Sequence, residues 1–293
     1  MSSYIVTIAT TIVIQAIAVY GLNVIVGYAG QISIGHAAFF GIGAYGAALL
    51  ATKAGLGFWL SLPLVLLICA LIGLLLGLPS LRVRQDYLAI TTIGINFIVE
   101  AVFLYIPFFG GAMGIGGIPR IRLFGLALKG PSFLYLCLFF LAVVIFLSWL
   151  FTRSFAGLAC FALREEEEAA ASMGISPIRF KLLAFMLGTM FAGLAGALYA
   201  HFMRFVSAGD FSFGLSVSFL AILVLGGMGS LPGPLVGAVI LGALPEVFRP
   251  LVDYRMLFYS ALLLLMIRFQ PGGLFGDGSL VRKRLIPKLE RKR

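Results

Sequence analysis

The 293-residue chain is 61% hydrophobic and only 11% charged, with a mean hydropathy of +1.11, whereas soluble domains carry roughly 25% charged residues. That composition excludes a soluble globular domain and indicates an all-α polytopic membrane protein. Its +10 net charge does not mark a nucleic-acid binder, because much of it sits in the tail Arg282, Lys283, Arg284, Lys288, Arg291, Lys292 and Arg293, and basic residues just after a last span lie in the cytoplasm.

At ~20 residues per span, the length holds roughly eight to ten crossings. The N-terminus lacks the basic start of a cleaved signal, so it reads as the beginning of the first span, about Ile5 to Val26. Gln15 and Asn23 are its polar members. Gly27 to about Thr52 forms the second, crowded with the small residues that let helices approach closely in lipid. Gln31, Ser33 and His36 stand at its start. Phe58 to Leu78 is the third, and Arg82 and Arg84 mark a cytoplasmic turn after it. A fourth runs from about Tyr87 to Phe109 and carries Thr91, Thr92, Asn96 and Glu100. Gly110 to Ser132 is too polar and glycine-rich to span, and reads as an external loop containing a short extended piece. Phe133 to Phe151 is the fifth span.

The longest polar interruption, Arg153 to Lys181, then follows. Glu165 to Glu168 lead into Ala169, Ala170 and Ala171. Glutamate and alanine favour helix, and carboxylates suit its first turn. Gly174 fits a C-terminal stop and Pro177 the start of the next helix. The residues alone leave two readings: a short amphipathic helix that meets another protein, or a solvated charged loop. Leu182 to about Met203 is the sixth span, with Gly188, Ala192 and Gly196 on one face. Two shorter apolar runs, Leu215 to Gly226 and Leu235 to Ala243, flank a Gly/Pro-rich break that is either a tight turn or a re-entrant segment. The last span is about Met256 to Arg268. The chain thus reads as a transmembrane domain over residues 1–279, holding about 8–9 helices and a loop at about 153–181. A basic cytoplasmic tail follows over 280–293. With the loop and the tail both inside, parity puts the N-terminus outside.

Polar groups at membrane depth are expensive and become functional candidates by default. His36, with Gln31 and Ser33, sits where a span begins after a Gly-rich turn, and either lines a path or makes a helix-end hydrogen bond between packed spans. Thr91, Thr92 and Asn96 either line a path or, for the hydroxyls, bond back to their own helix. Glu100 either serves transport or snorkels to the headgroups. Glu246 pairs with Arg249 in a structural role, and His201 and Arg204 read as interfacial anchors. Enzyme chemistry is thinly supplied. The sequence holds no GxxxxGK[ST] phosphate loop, HExxH, GxSxG or CxxC, and Cys69, Cys137 and Cys160 have neither disulfide-framework nor zinc spacing. No catalytic or metal-ligating set is expected.

Four segments in order carry a family resemblance. GYAGQISIGHAAFFGIGAYGAALL (Gly27 to Leu50), LREEEEAAASMGISPIRFKLLAF (Leu163 to Phe185), LGGMGSLPGPLVGAVILGALPE (Leu225 to Glu246) and RFQPGGLFG (Arg268 to Gly276) resemble branched-chain amino-acid ABC-transporter permeases of the LivM type. The resemblance covers about residues 20 to 278. It implies that Glu167, Glu168, Ala169, Ala170 and Gly174 belong to an EAA-type cytoplasmic coupling helix seated in a separate ATPase. ATP and Mg would then bind to partner subunits, with no cofactor on this chain. It further implies a second homologous permease forming a heterodimer, two ATPase subunits, a periplasmic or lipoprotein substrate-binding protein, and a bacterial or archaeal cytoplasmic membrane. The loops around Gly110 to Ser132 and Arg204 to Ser212 would face the binding protein. Gln31, Ser33, His36, Thr92 and Asn96 are then candidates to line the path of an amino acid's zwitterionic head. Related permeases for urea or short amides share these motifs. A stand-alone channel or secondary carrier would need an ion-coupling site that Glu100 alone supplies poorly.

Overall fold

The computed structural model describes residues 3–80, 85–123, 125–247, 264 and 273–276. Ten α-helices run through it: α1 (Ser3–Leu22), α2 (His36–Thr52), α3 (Phe58–Ser80), α4 (Gln85–Tyr105), α5 (Pro131–Arg153), α6 (Phe155–Glu165), α7 (Glu167–Ser172), α8 (Pro177–Met203), α9 (Phe213–Gly226) and α10 (Gly233–Val247). Among the described residues, six helical segments are long and apolar enough to cross a membrane: Tyr4–Tyr28, Phe58–Leu78, Tyr87–Tyr105, Pro131–Arg153, Pro177–Met203 and Ala208–Gly226. His36–Thr52 and Gly233–Leu244 are shorter apolar helices. The all-α reading therefore holds, with six long candidates where about 8–9 spans were expected. The expected Arg82/Arg84 turn, the Glu246–Arg249 pair, the span from Met256 to Arg268 and the basic tail lie outside what is described.

Helix α8 occupies the centre. Its small residues let three neighbours approach closely: Gly188 lies against the Gly21 backbone of α1 and the Ile25 side chain just after it, Gly193 against the Gly43 backbone of α2 and the Cys69 side chain of α3, and Gly196 against the Phe40 and Ala44 backbone of α2. Close backbone approach substitutes in lipid for the hydrophobic drive that water supplies, since lipid tails are as apolar as the side chains. The peripheral helices show the complementary pattern. Leu60, Leu64, Leu67, Leu71 and Leu75 of α3, and Tyr135, Phe139, Phe146 and Leu150 of α5, are exposed, as expected for faces solvated by acyl chains.

Two local departures from the sequence reading matter. The second span was expected from Gly27, but α1 ends in a wider π-helical turn over Asn23–Tyr28 and residues 29–35 leave the helix altogether. Glycines explain this: Gly30 has φ +68, a left-handed conformation that only glycine adopts cheaply, and Gly35 packs directly on the Thr92 backbone of α4. The loop from Arg153 to Lys181 holds two helices where one was expected. Ser154 caps α6 by accepting from Gly157 N at 3.2 Å. Glu166 is extended (φ −152, ψ 104), so the four carboxylates are divided, and Glu167 and Glu168 fall in the first turn of α7 where the helix dipole favours them. Gly174 (φ +87) and Pro177 at the start of α8 sit as the sequence reading placed them.

At the end of the bundle opposite α7, the Gly110 to Ser132 loop carries the expected extended pieces. Strand β1 (Ile115–Gly116) pairs antiparallel with β4 (Phe205–Val206), and β2 (Arg122–Leu123) with β3 (Leu126–Ala127). His201 Nδ1 meets the Pro119 carbonyl at 2.8 Å, and Arg204 Nε donates to Ile118 O at 3.3 Å. His201, in the last turn of α8, is buried beside Phe58. It ties the loop to α8.

Candidate functional site

Two polar clusters interrupt the apolar bundle, and they share the irregular stretch 29–35. The first gathers at the α7 end. Lys181, at the start of α8, is buried, and its ammonium stands 2.5 Å from the Glu167 carboxylate. The backbone carbonyl of Lys181 accepts a 2.8 Å bond from the side-chain amide of Gln31. Arg164, in the last turn of α6, donates from Nη1 to Gly27 O at 2.5 Å. Gly27 also backs onto Gly229, in the turn between α9 and α10. Asn23 holds that turn from both sides, accepting from Gly229 N at 2.9 Å and donating to Ser230 O at 3.0 Å. The Tyr20 hydroxyl donates to Leu231 O at 2.8 Å. Leu274 N and Phe275 N then bond to Leu225 O and Gly226 O. So the Gly/Pro-rich break is a turn docked on α1.

Helix α7 projects from this corner. Ala170 is buried and Glu167 half-buried, whereas Glu168, Ala169, Ala171, Ser172, Met173 and Gly174 are exposed. Met173 is 85% exposed, so an apolar tip stands out beside acidic residues. The helix closes with Gly174 N and Ile175 N bonding back to Ala171 O and Ala170 O. Cys160 of α6 is fully buried, and burial pushes its thiol up to about 12. It is a packing residue, not a reactive one.

The second cluster is a seam between α1, α2, α4 and α9. His36, the first residue of α2, meets Ala18 O through Nε2 at 3.0 Å, a hydrogen bond between packed helices. Thr92 Oγ1 accepts from Ile34 N at 3.0 Å and donates to its own helix at Ala89 O at 2.9 Å. Ser216 Oγ donates to Asn96 Oδ1 at 3.0 Å and accepts from Ala37 N at 2.9 Å. Gln31, Ser33, His36, Thr92 and Asn96 are all buried. Gln31 Oε1, Ser33 Oγ and His36 Nδ1 have no hydrogen-bond partner among the described residues. Because Nε2 donates to a carbonyl, neutral His36 presents Nδ1 as a bare acceptor. Unsatisfied polar atoms at this depth are costly, and irregular backbone inside a bundle is tolerated where protein or a cavity surrounds it.

Thr92 and Asn96 are therefore tied to the start of α2 beside His36, Gln31 reaches the α7 corner through Lys181 O, and Ser33, between Gln31 and His36 in sequence, is buried without a hydrogen bond from its hydroxyl to the other four. Glu100 is half-buried outside these bonded pairs. Sequence reasoning missed Arg164, Asn23, Tyr20 and Ser216 as site residues. The visible signal was weak: one arginine before a glutamate run, and polar groups spaced along apolar helices.

Comparison with known proteins adds a name to this geometry. The family model described as branched-chain amino acid transport system / permease component matches residues 4–267. The high-affinity branched-chain amino acid transport system permease protein LivM of Salmonella typhimurium is 42% identical, over 92% of this chain and 69% of its own length. The probable branched-chain amino acid transport permease protein LivM of Methanocaldococcus jannaschii is 24% identical over 77% of this chain and 71% of that protein. The LivH permease protein of Escherichia coli is 32% identical over 46% of this chain and 43% of its own. No solved structure matches.

Proposed function

Because the chain belongs to the family of branched-chain amino acid transport permease components, we propose that it forms one half of the membrane path of an ATP-driven importer for branched-chain amino acids. It is a permease subunit, not an enzyme. ATP and Mg are held by two partner ATPases, a second related permease completes the path, and a periplasmic or lipoprotein binding protein delivers the substrate. The observation that carries the reading is the similarity to LivM along nearly the whole chain. The similarity to LivH supports a related partner permease.

In this reading α7 is the cytoplasmic coupling helix. Glu168, Ala169 and Gly174 present its docking face, while Glu167 and Ala170 fix it to the bundle. ATP-driven movement of α7 passes through Lys181 and Arg164 to the seam. Gln31, Ser33, His36, Thr92 and Asn96 then form the polar wall along which the zwitterionic head passes. Their unpartnered atoms and the broken start of α2 support this, since discontinuous helices are where transporters meet polar solutes. They are shielded with the helices as packed here, so α4 and α9 must part from α2 to expose them. The loop opposite, with the Arg204 to Ser212 segment, faces the binding protein. The six long helices, α2, α10 and the apolar segment Met256 to Arg268 give about nine spans in a bacterial or archaeal cytoplasmic membrane, with the tail inside.

The test is uptake of radiolabelled leucine by proteoliposomes holding the chain with its co-purified partners. ATP-dependent leucine accumulation is expected. Accumulation of urea but not leucine would assign a different substrate class, and leucine flux without ATP would make the chain a channel or carrier.

A further inference from the structure

We propose that Arg164 is a positioning residue that clamps the moving end of α6 to α1 and to the α9–α10 turn, so that these segments shift as one body when α7 is displaced. The proposal rests on the coupling reading above and names a residue that carries displacement from α6 to the end of α1 and to the α9–α10 turn.

Three observations carry it. The guanidinium donates to Gly27 O, a carbonyl in the last turn of the α1 segment. Such carbonyls lack an intrahelical donor, and a cation there is favoured by the helix dipole. Next, glycines line the seat, and a side chain at either would crowd the arginine. A Cβ at Gly229 would lie 2.5 Å from Nη1, and one at Gly30 would lie 3.0 Å from Cγ of the same arginine. Two glycines from separate turns thus form the walls, both with positive φ (Gly229 +78, Gly30 +68). Finally, Arg164 has no carboxylate partner among the described residues. Its charge is spent on backbone, not on neutralising a nearby acid.

The topology makes this contact consequential. Glu167 binds Lys181 and so links α7 to α8, whereas Arg164 lies against the end of α1 and the turn at Gly227–Pro232. Those two are already joined to each other by Asn23 and Tyr20. Arg164 joins that pair to α6, which is separated from α7 by the single extended residue Glu166. A push on α7 therefore acts on α8 through the Glu167–Lys181 pair and the packing beside it, while Arg164 adds a polar tie from α6 to the end of α1 next to the Tyr28–Phe161 ring contact. Remove the guanidinium, and α7 still docks and moves, but the end of α1 and the α9–α10 turn lose their polar tie to α6 and follow less closely.

The experiment compares wild type with Arg164→Ala and Arg164→Lys in the full complex in proteoliposomes. ATP hydrolysis, leucine uptake and the thermal midpoint of the complex are measured on the same preparations. Arg164→Ala is expected to keep hydrolysis and midpoint near wild type while uptake per ATP falls about tenfold, within the usual range of coupling energies. Arg164→Lys, which keeps the charge but loses the planar fork, should recover part of that loss. Unchanged uptake per ATP in Arg164→Ala overturns the clamp. So does a loss of hydrolysis and uptake in equal proportion with a lowered midpoint, which identifies a staple of the fold. Failure of the wild-type complex to show ATP-driven uptake instead overturns the functional reading on which the proposal stands.

Discussion

The Lys181 ammonium and the Glu167 carboxylate stand 2.5 Å apart, and the same lysine's carbonyl accepts the Gln31 amide at 2.8 Å. One residue thus touches both the acidic helix and the broken start of α2. The lysine side chain is 7% exposed and the glutamate 36%, so the two halves of the pair differ in what their loss leaves behind. Glu167→Gln strands an ammonium inside the protein, whereas Lys181→Met leaves a carboxylate that water can still reach. Glu167→Gln is expected to lower stability by about 1–3 kcal/mol, and Lys181→Met by clearly less. Thermal unfolding of the purified chain, followed with a thiol-reactive dye that reports exposure of Cys69, Cys137 and Cys160, checks the order.

Gly196 of α8 packs on the Phe40 carbonyl and the Ala44 amide of α2, which are backbone atoms with no rotamer to yield. Gly196→Val must push the helices apart, at a cost of about 1–3 kcal/mol or more. Gly94, whose Cβ position is open, is the control: Gly94→Ala is expected to be neutral or mildly stabilising through helix propensity. The same dye assay separates the two.

Labelling with a thiol reagent tests the α7 geometry and its sidedness together. The native cysteines are buried, and Cys160 stays protonated at any pH below its raised value of about 12, so they should react slowly between pH 7 and 9. Cysteines introduced as Ala169→Cys and Met173→Cys stand on exposed positions and should label quickly, and only from the side carrying the ATPases. Adding those subunits should protect both.

Asn96 and Ser216 share a 3.0 Å hydrogen bond inside the bundle. Such bonds in membrane proteins contribute about 0.6 kcal/mol on average, so Asn96→Ala and Ser216→Ala are each expected to cost little stability and to couple by a similar amount in a double-mutant cycle. Leucine uptake should fall about tenfold for Asn96→Ala if the seam is the path. Wild-type uptake with the expected stability change would remove Asn96 from it.

Much of the fold was legible because its cause is local. Apolar runs bounded by Gly and Pro located the helices, Gly174 and Pro177 marked where α7 ends and α8 begins, and the small residues of α8 predicted close packing. The sequence did not show where that packing goes, since Gly188, Gly193 and Gly196 serve three different neighbours. A glycine-rich turn before His36 was legible, but not that helix stops over residues 29–35, because a glycine-rich apolar stretch suits either a span or a break. The break is set by tertiary contacts to Thr92, Ser216 and Lys181. Arg164 and Lys181 stand in the polar stretch with nothing in their neighbours to single them out. Their contacts are to backbone atoms or to residues distant in sequence, and no local pattern encodes them.

The short reach of α2 also bears on how the chain is made. With 17 residues in helix and an extended lead whose hydrogen bonds come from other segments, this stretch cannot satisfy its own backbone when it first meets the lipid. Its partners on α4, α8 and α9 are synthesised later. The nascent protein must therefore hold this stretch unfinished in the insertion machinery until α9 supplies Ser216, and ribosome stalling before Phe213 should leave it open to proteases.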